Sequence, residues 1–151
     1  MQIIKNQKIV NDDWTYIADD VPLCSGNITI SLQRWQTDKQ QLLNHTGKLG
    51  LRLTTEDQLD DVASDLPTFS LLEMNFNIFT DGRSFSQAWL LRNRYNFDGE
   101  IRATGHFMRD QIFYLHRVGV NSFKLDNNTD LQGALSALKD FSVNYQADEM
   151  S

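Results

Sequence analysis

The sequence predicts a single α/β domain of about five successive βα units. They form a mostly parallel sheet, open or partial-barrel, preceded by a small N-terminal β-hairpin or arm. Three observations predict this. Short runs rich in apolar and β-branched residues alternate with stretches whose apolar residues recur at helical spacing. The connections are short, which favours parallel strands covered by helices with right-handed crossovers. The 151 residues suit one domain and fall short of the roughly 250 of a full eight-unit barrel.

The elements follow in order. Ile3-Ile4 and Ile9-Val10 flank the polar turn Lys5 to Lys8, and Trp14, Tyr16 and Ile17 supply apolar surface to dock this arm. Asp19 to Gly26 reads as a loop. Asn27 to Ser31 is a strand, Leu32 to His45 a helix with Trp35, Leu42 and Leu43 spaced along it, and Lys48 to Leu53 a second strand. Thr55 and Gln58 have the spacing of a capping box and predict a short acidic helix to about Ala63. Beyond Pro67, Phe69 to Asn75 is a third strand. Ser84 and Gln87 form a second capping-box pattern, opening a helix to about Tyr95. Glu100 to Ala103 is a fourth strand and His106 to about Val118 a helix, with Gly119 suited to its stop. Ser122 to Leu125 is a fifth strand, and Asn127-Asn128-Thr129 opens the last helix. This gives an arm over 1–26, a βα core over 27–145 and a tail over 146–151, with no internal repeat or linker.

The formal net charge of -6 and pI near 4.9 argue against nucleic acid or an anionic membrane as the main partner. They leave room for a local basic patch and a small anionic ligand. The single cysteine, Cys24, rules out an internal disulfide or a multi-cysteine metal site. Residues Met1 to Val10 lack an apolar signal core, and no run approaches the roughly 18 apolar residues of a membrane span. The expected location is the cytoplasm.

In parallel sheets ligands gather at the C-terminal ends of the strands. Arg52, the stretch 75–83, the stretch 102–110 and Asp126 to Asn128 fall there. Thr80-Asp81-Gly82-Arg83-Ser84 is the most informative of these. A glycine turn leads to a helix start, whose free N–H groups and an adjacent guanidinium suit an oxyanion. The same residues also serve as ordinary helix punctuation. Arg102-Ala103-Thr104-Gly105-His106 repeats the chemistry, followed by Arg109 and Asp110. His106 is the one candidate general acid or base, and no triad partner is assigned to it. His45 and His116 read as structural or solvated. The candidate ligand set is therefore Asp81, Gly82, Arg83, Ser84, Gln87, Arg102, Gly105, Arg109 and Asp110. No dinucleotide fingerprint, phosphate-binding P-loop, H-E-x-x-H or paired C-x-x-C pattern occurs, so no cofactor or metal is evident.

The stretch Phe79-Thr80-Asp81-Gly82-Arg83-Ser84-Phe85-Ser86-Gln87-Ala88 resembles one bacterial family, the domain-of-unknown-function family 934. Leu90-Leu91-Arg92, Gly99-Glu100-Ile101-Arg102-Ala103-Thr104-Gly105 and Arg109-Asp110-Gln111 extend the resemblance, as do Ile3-Ile4-Lys5 and Asp13-Trp14. The resemblance implies a role in sulfite reduction, since such proteins are described as oxidoreductases that accompany assimilatory sulfite reductase. It carries over no catalytic residue, and it places Asp or Asn where this chain has His106. Three functions remain open: an accessory protein binding sulfite reductase or its electron donor, a small enzyme binding a sulfur or phosphate oxyanion, and an interaction module without chemistry. Pairing of sheet edges would allow a homodimer.

Overall fold

The computed structural model describes residues 2–54, 56–76, 83–105, 109–125, 131–136 and 138–139. They form an α/β domain around an open, curled, eight-stranded mixed sheet. The strands are β1 (Gln2–Lys5), β2 (Lys8–Asn11), β3 (Thr15–Tyr16), β4 (Ile28–Ser31), β5 (Leu49–Leu53), β6 (Leu71–Phe76), β7 (Glu100–Gly105) and β8 (Ser122–Leu125). Their spatial order is β2-β1-β8-β7-β6-β5-β4-β3. From β3 to β8 every neighbouring pair is parallel, and β1 joins β8 antiparallel. Because β3 to β8 are laid down in chain order, right-handed crossovers put their connections on one face. The sheet is thus wound in one direction only, like a barrel left open.

The strand sequences alternate accordingly. Ile28, Ile30, Leu49, Leu51, Leu53, Leu72, Met74, Ile101, Ala103, Phe123 and Leu125 join one buried cluster with residues of the covering segments. Those segments are α1 (Leu32–Thr37), α2 (Lys39–Leu43), α3 (Arg83–Asn93), α4 (Arg109–Arg117) and the helical residues 131–136. Trp35, Leu42, Ala88, Leu91, Ile112, Leu115 and Ala134 are their contributions to the cluster.

Several boundaries depart from the sequence reading. The helix expected over Leu32 to His45 breaks at Asp38, whose carboxylate takes the Arg34 Nε–H at 2.9 Å. Arg34 also donates to the Ala18 and Val21 carbonyls at 2.7 and 2.6 Å, fastening the preceding loop. In place of the acidic α-helix there are two 3-10 turns, Leu59–Asp61 and Ala63–Thr68. Thr55 lies outside the described residues. The reciprocal bonds start one residue earlier: the Thr54 N–H donates to Asp57 Oδ2 at 2.9 Å, and the Glu56 N–H to Thr54 Oγ1 at 3.2 Å. β3 was not expected; two residues are too few for a periodicity to register. Gly119 has φ +113° and ends α4 as expected.

Candidate ligand site on the inner face of the sheet

The face of the sheet away from the apolar cluster is charged. Strand register aligns Ser31, Arg52, Glu73, Arg102, Ser122 and Lys5 in one row across six strands. Neighbours in a row share a face, so opposite charges in adjacent strands support one another. Arg52 Nε donates to Glu73 Oε1 at 2.7 Å. Arg102 Nη2 donates to Glu100 Oε2 at 2.9 Å, and Ser122 Oγ donates to the same oxygen at 2.7 Å. Lys5 reaches the other Glu100 oxygen at 3.0 Å.

The segment 12–14 leaves the end of β2 and lies across this face. Asp12 Oδ1 accepts from Arg102 Nη1 at 2.9 Å, and Asp12 Oδ2 pairs with Lys124 at 3.0 Å. Trp14 approaches Gly50, where an added Cβ would stand 3.2 Å from the indole and 2.8 Å from Thr29 Cγ2. Gly50 thus makes room for the crossing chain. Burial raises the Asp12 carboxyl, yet the Trp14 N–H, Lys124 and Arg102 outweigh it and leave it below the usual carboxylate range. Glu100 behaves alike: burial raises it, and the Ser122 hydroxyl, Arg102 and Lys5 bring it below its usual value.

Toward the strand C-terminal ends of this face, Arg52 and Lys124 keep solvent access. The Arg52 side chain is 31% exposed, and its guanidinium carbon lies 3.6 Å from the Tyr16 ring centroid. Lys124 is 29% exposed. The next row toward the strand ends, Asn75, Thr104 and Lys124, is polar, and Asn75 is exposed. This is the mouth of the curled sheet. Arg52 is held there on two sides, by a carboxylate and by an aromatic ring, which lowers the entropy it loses on meeting an anion.

The sequence-derived candidates are distributed as follows. Arg102 sits in the middle of β7 rather than at its end, 1% exposed and engaged by Asp12 and Glu100. Gly105 ends β7 with φ +119°, a conformation that favours glycine. Gln87 is buried on α3, and its Nε2 donates to the Thr54 and Asp57 carbonyls at 3.1 and 3.4 Å. It therefore ties α3 to the β5–β6 connection instead of closing a capping box. Arg83 and Ser84 lie in the first turn of α3, and Arg109 and Asp110 in the first turn of α4; only their backbone is described. Asp81, Gly82 and His106 lie outside the described residues. His45 Nε2 meets the Gly26 carbonyl at 2.6 Å. Among the described residues no group of three or more His, Cys, Asp or Glu is arranged to hold a metal ion.

Sequence reading missed Asp12, Tyr16, Glu73, Glu100 and Lys124. A usable signal existed for three of them. Glu73, Glu100 and Lys124 lie inside predicted strands, each next to apolar residues that join the buried cluster.

Fold and face together define a class: a βα-wound protein whose curled sheet presents a charged inner face at the strand C-terminal ends. The chain belongs to the family described as bacterial protein of unknown function (DUF934), whose model matches residues 50–151. That span holds β5 to β8 and the helices between them. No curated protein matches the chain. No helix among the described residues is long and apolar enough to cross a membrane.

Proposed function

We propose that the protein serves sulfite reduction as a partner of sulfite reductase or its electron donor, and that it binds a small oxyanion at the mouth of the sheet. The observation that carries the oxyanion reading is Arg52. Its guanidinium is fixed by Glu73 and stacked on Tyr16, and a third of the side chain still faces solvent beside the strand ends. A planar guanidinium in that setting suits a sulfur or phosphorus oxyanion. Lys124, on the same face, supplies a second charge. The pathway part rests on the resemblance of 79–88 and 99–111 to proteins that accompany sulfite reductase. The expected location is the cytoplasm, where that chemistry takes place.

The test is deletion of the gene in its host, with growth compared on sulfate, sulfite, sulfide and cysteine. Loss of growth on sulfate and sulfite with growth retained on sulfide places the protein at sulfite reduction. Complementation with Arg52→Gln then tests the mouth: failure to rescue, with the variant folded, supports it. Normal growth of the deletion strain on all four sources removes the pathway reading. Full rescue by Arg52→Gln removes the role of the mouth.

A further inference from the structure

A cavity with charged residues in its lining lies away from the mouth, at the β1–β2 pair. Its volume is about 480 Å³, within the range of roughly 300–1,000 Å³ typical of small-molecule pockets. Ile3, Lys5, Lys8, Asn11, Asp13 and Arg102 contribute to its lining. Its shape follows from the register. Ile3 pairs with Val10 and Lys5 with Lys8, so all four side chains project to the inner face. Asn6 and Gln7, with φ of 52° and 64°, make the tight turn between the strands. The Asn6 N–H donates to the Asn121 carbonyl at 2.9 Å and fixes the turn against the residue before β8.

The charge arrangement here is unusual. Lys5 and Lys8 stand directly opposite one another, and like charges in that position are destabilising. Lys5 is balanced by Glu100, but Lys8 has no carboxylate within ion-pair distance among the described residues. Arg102 at the base is already neutralised by Asp12 and Glu100. Lys8 is thus a lining cation without an ion-pair partner among the described residues, in a cavity whose lining also holds the Asp13 carboxylate. Among the described residues the lining carboxylate is Asp13, which contacts Asn27 at 3.5 Å.

We propose that this cavity is an oxyanion site separate from the mouth of the sheet, in which Lys8 and Lys5 grip the tetrahedral head group of a small phosphate or sulfate compound. An anion bridging the two ammonium groups would convert a repulsive cross-strand pair into an attractive one. Ile3 and Val10 supply an apolar wall suited to a short carbon stem on that head group.

The experiment is an NMR titration of the full chain with inorganic phosphate, inorganic sulfate and glycerol phosphate, at constant ionic strength set with chloride. The expected result is saturable shifts of the Lys5, Asn6 and Lys8 signals, weakened at least tenfold in Lys8→Gln and unchanged in Arg52→Gln. Tighter binding of glycerol phosphate than of both inorganic ions would identify an organic ligand, and equal binding a free ion. Lys8 is exposed, so its substitution leaves the fold intact, and Lys8→Arg should retain binding. The proposal is overturned if none of the three anions shifts these signals beyond chloride, or if Lys8→Gln binds as tightly as the wild type. It is also overturned if the saturable shifts map instead to Arg52 and Thr104, which would leave the mouth reading standing alone.

Discussion

Arg102 and Asp12, 90 residues apart in sequence, meet at 2.9 Å on the inner face of the sheet. The same Asp12 holds Lys124, so one carboxylate joins β7, β8 and the chain leaving β2. Removing one partner of a buried pair leaves the others charged and uncompensated, which costs about 3–5 kcal/mol. Arg102→Ala should therefore lower unfolding free energy by that order, read from urea denaturation. Arg102→Ala and Asp12→Ala combined should cost less than their sum. A loss below about 1 kcal/mol in the single variant would mean that water reaches these groups and the network contributes little.

The acid side of the stability profile follows from the same carboxylates. Asp12 and Glu100 both have folded-state values below their ordinary ones. A depressed carboxyl stabilises the fold above its unfolded value, near 4, and that contribution fades as pH falls through the lower folded value. The wild type should thus lose stability progressively below about pH 4. Asp12→Asn with Glu100→Gln should start less stable at neutral pH and show a shallower slope below about pH 4. Parallel curves for the two proteins would show that other groups govern acid unfolding.

The sheet was legible in the sequence because its strands carry a strong period. In β4 to β8 apolar residues alternate with Thr, Ser, Arg, Glu and Lys, and this pattern both marks a strand and assigns its faces. The charged face was less legible because attention to strand ends draws the eye to loops. Arg102 was read at the very end of its strand, although Thr104 and Gly105 continue β7 beyond it. Asp12 could not be read at all: its role arises from a segment folding across the sheet, and nothing local in Asn11-Asp12-Asp13 encodes that path. The acidic stretch after β5 misled for a local reason. Gln58 has an extended backbone and makes no side-chain cap bond, the side-chain bonds fall on Thr54 and Asp57 instead, and the chain proceeds into 3-10 turns.

Gly119 and Arg92 form a second joint, half-buried. Arg92 Nε donates to the Gly119 carbonyl at 3.0 Å, and Nη1 donates to those of Phe97 and Gly99 at 2.8 Å each. Burial holds the guanidinium below its ordinary pKa, while Asp98 pulls the other way. A Cβ on Gly119 would lie 2.4 Å from Arg92 Cγ, on a backbone that side chains other than hydrogen resist. Gly119→Ala should cost more than about 1 kcal/mol through the positive φ alone, plus the displacement of Arg92. Thermal unfolding gives the measure, and a neutral substitution would show that the turn can relax.

Gln87 provides a pH test of opposite sign. Its Nε2 serves two carbonyls, those of Thr54 and Asp57, while its Oε1 is buried without a hydrogen-bond partner. Gln87→Glu places a carboxyl against acceptors and in a buried setting, both of which disfavour the ionised form. The introduced carboxyl is expected to titrate above its ordinary value. Each unit of that rise corresponds to about 1.4 kcal/mol of lost stability at neutral pH. Here the contribution is unfavourable above the unfolded value and is relieved as pH falls through the raised folded one. The variant should therefore gain stability relative to wild type between about pH 7 and pH 5, the reverse of the Asp12 and Glu100 trend. Denaturant midpoints measured at several pH values would reveal it. A pH-independent loss would instead mean that the carboxylate has swung out to solvent and that α3 no longer depends on this joint.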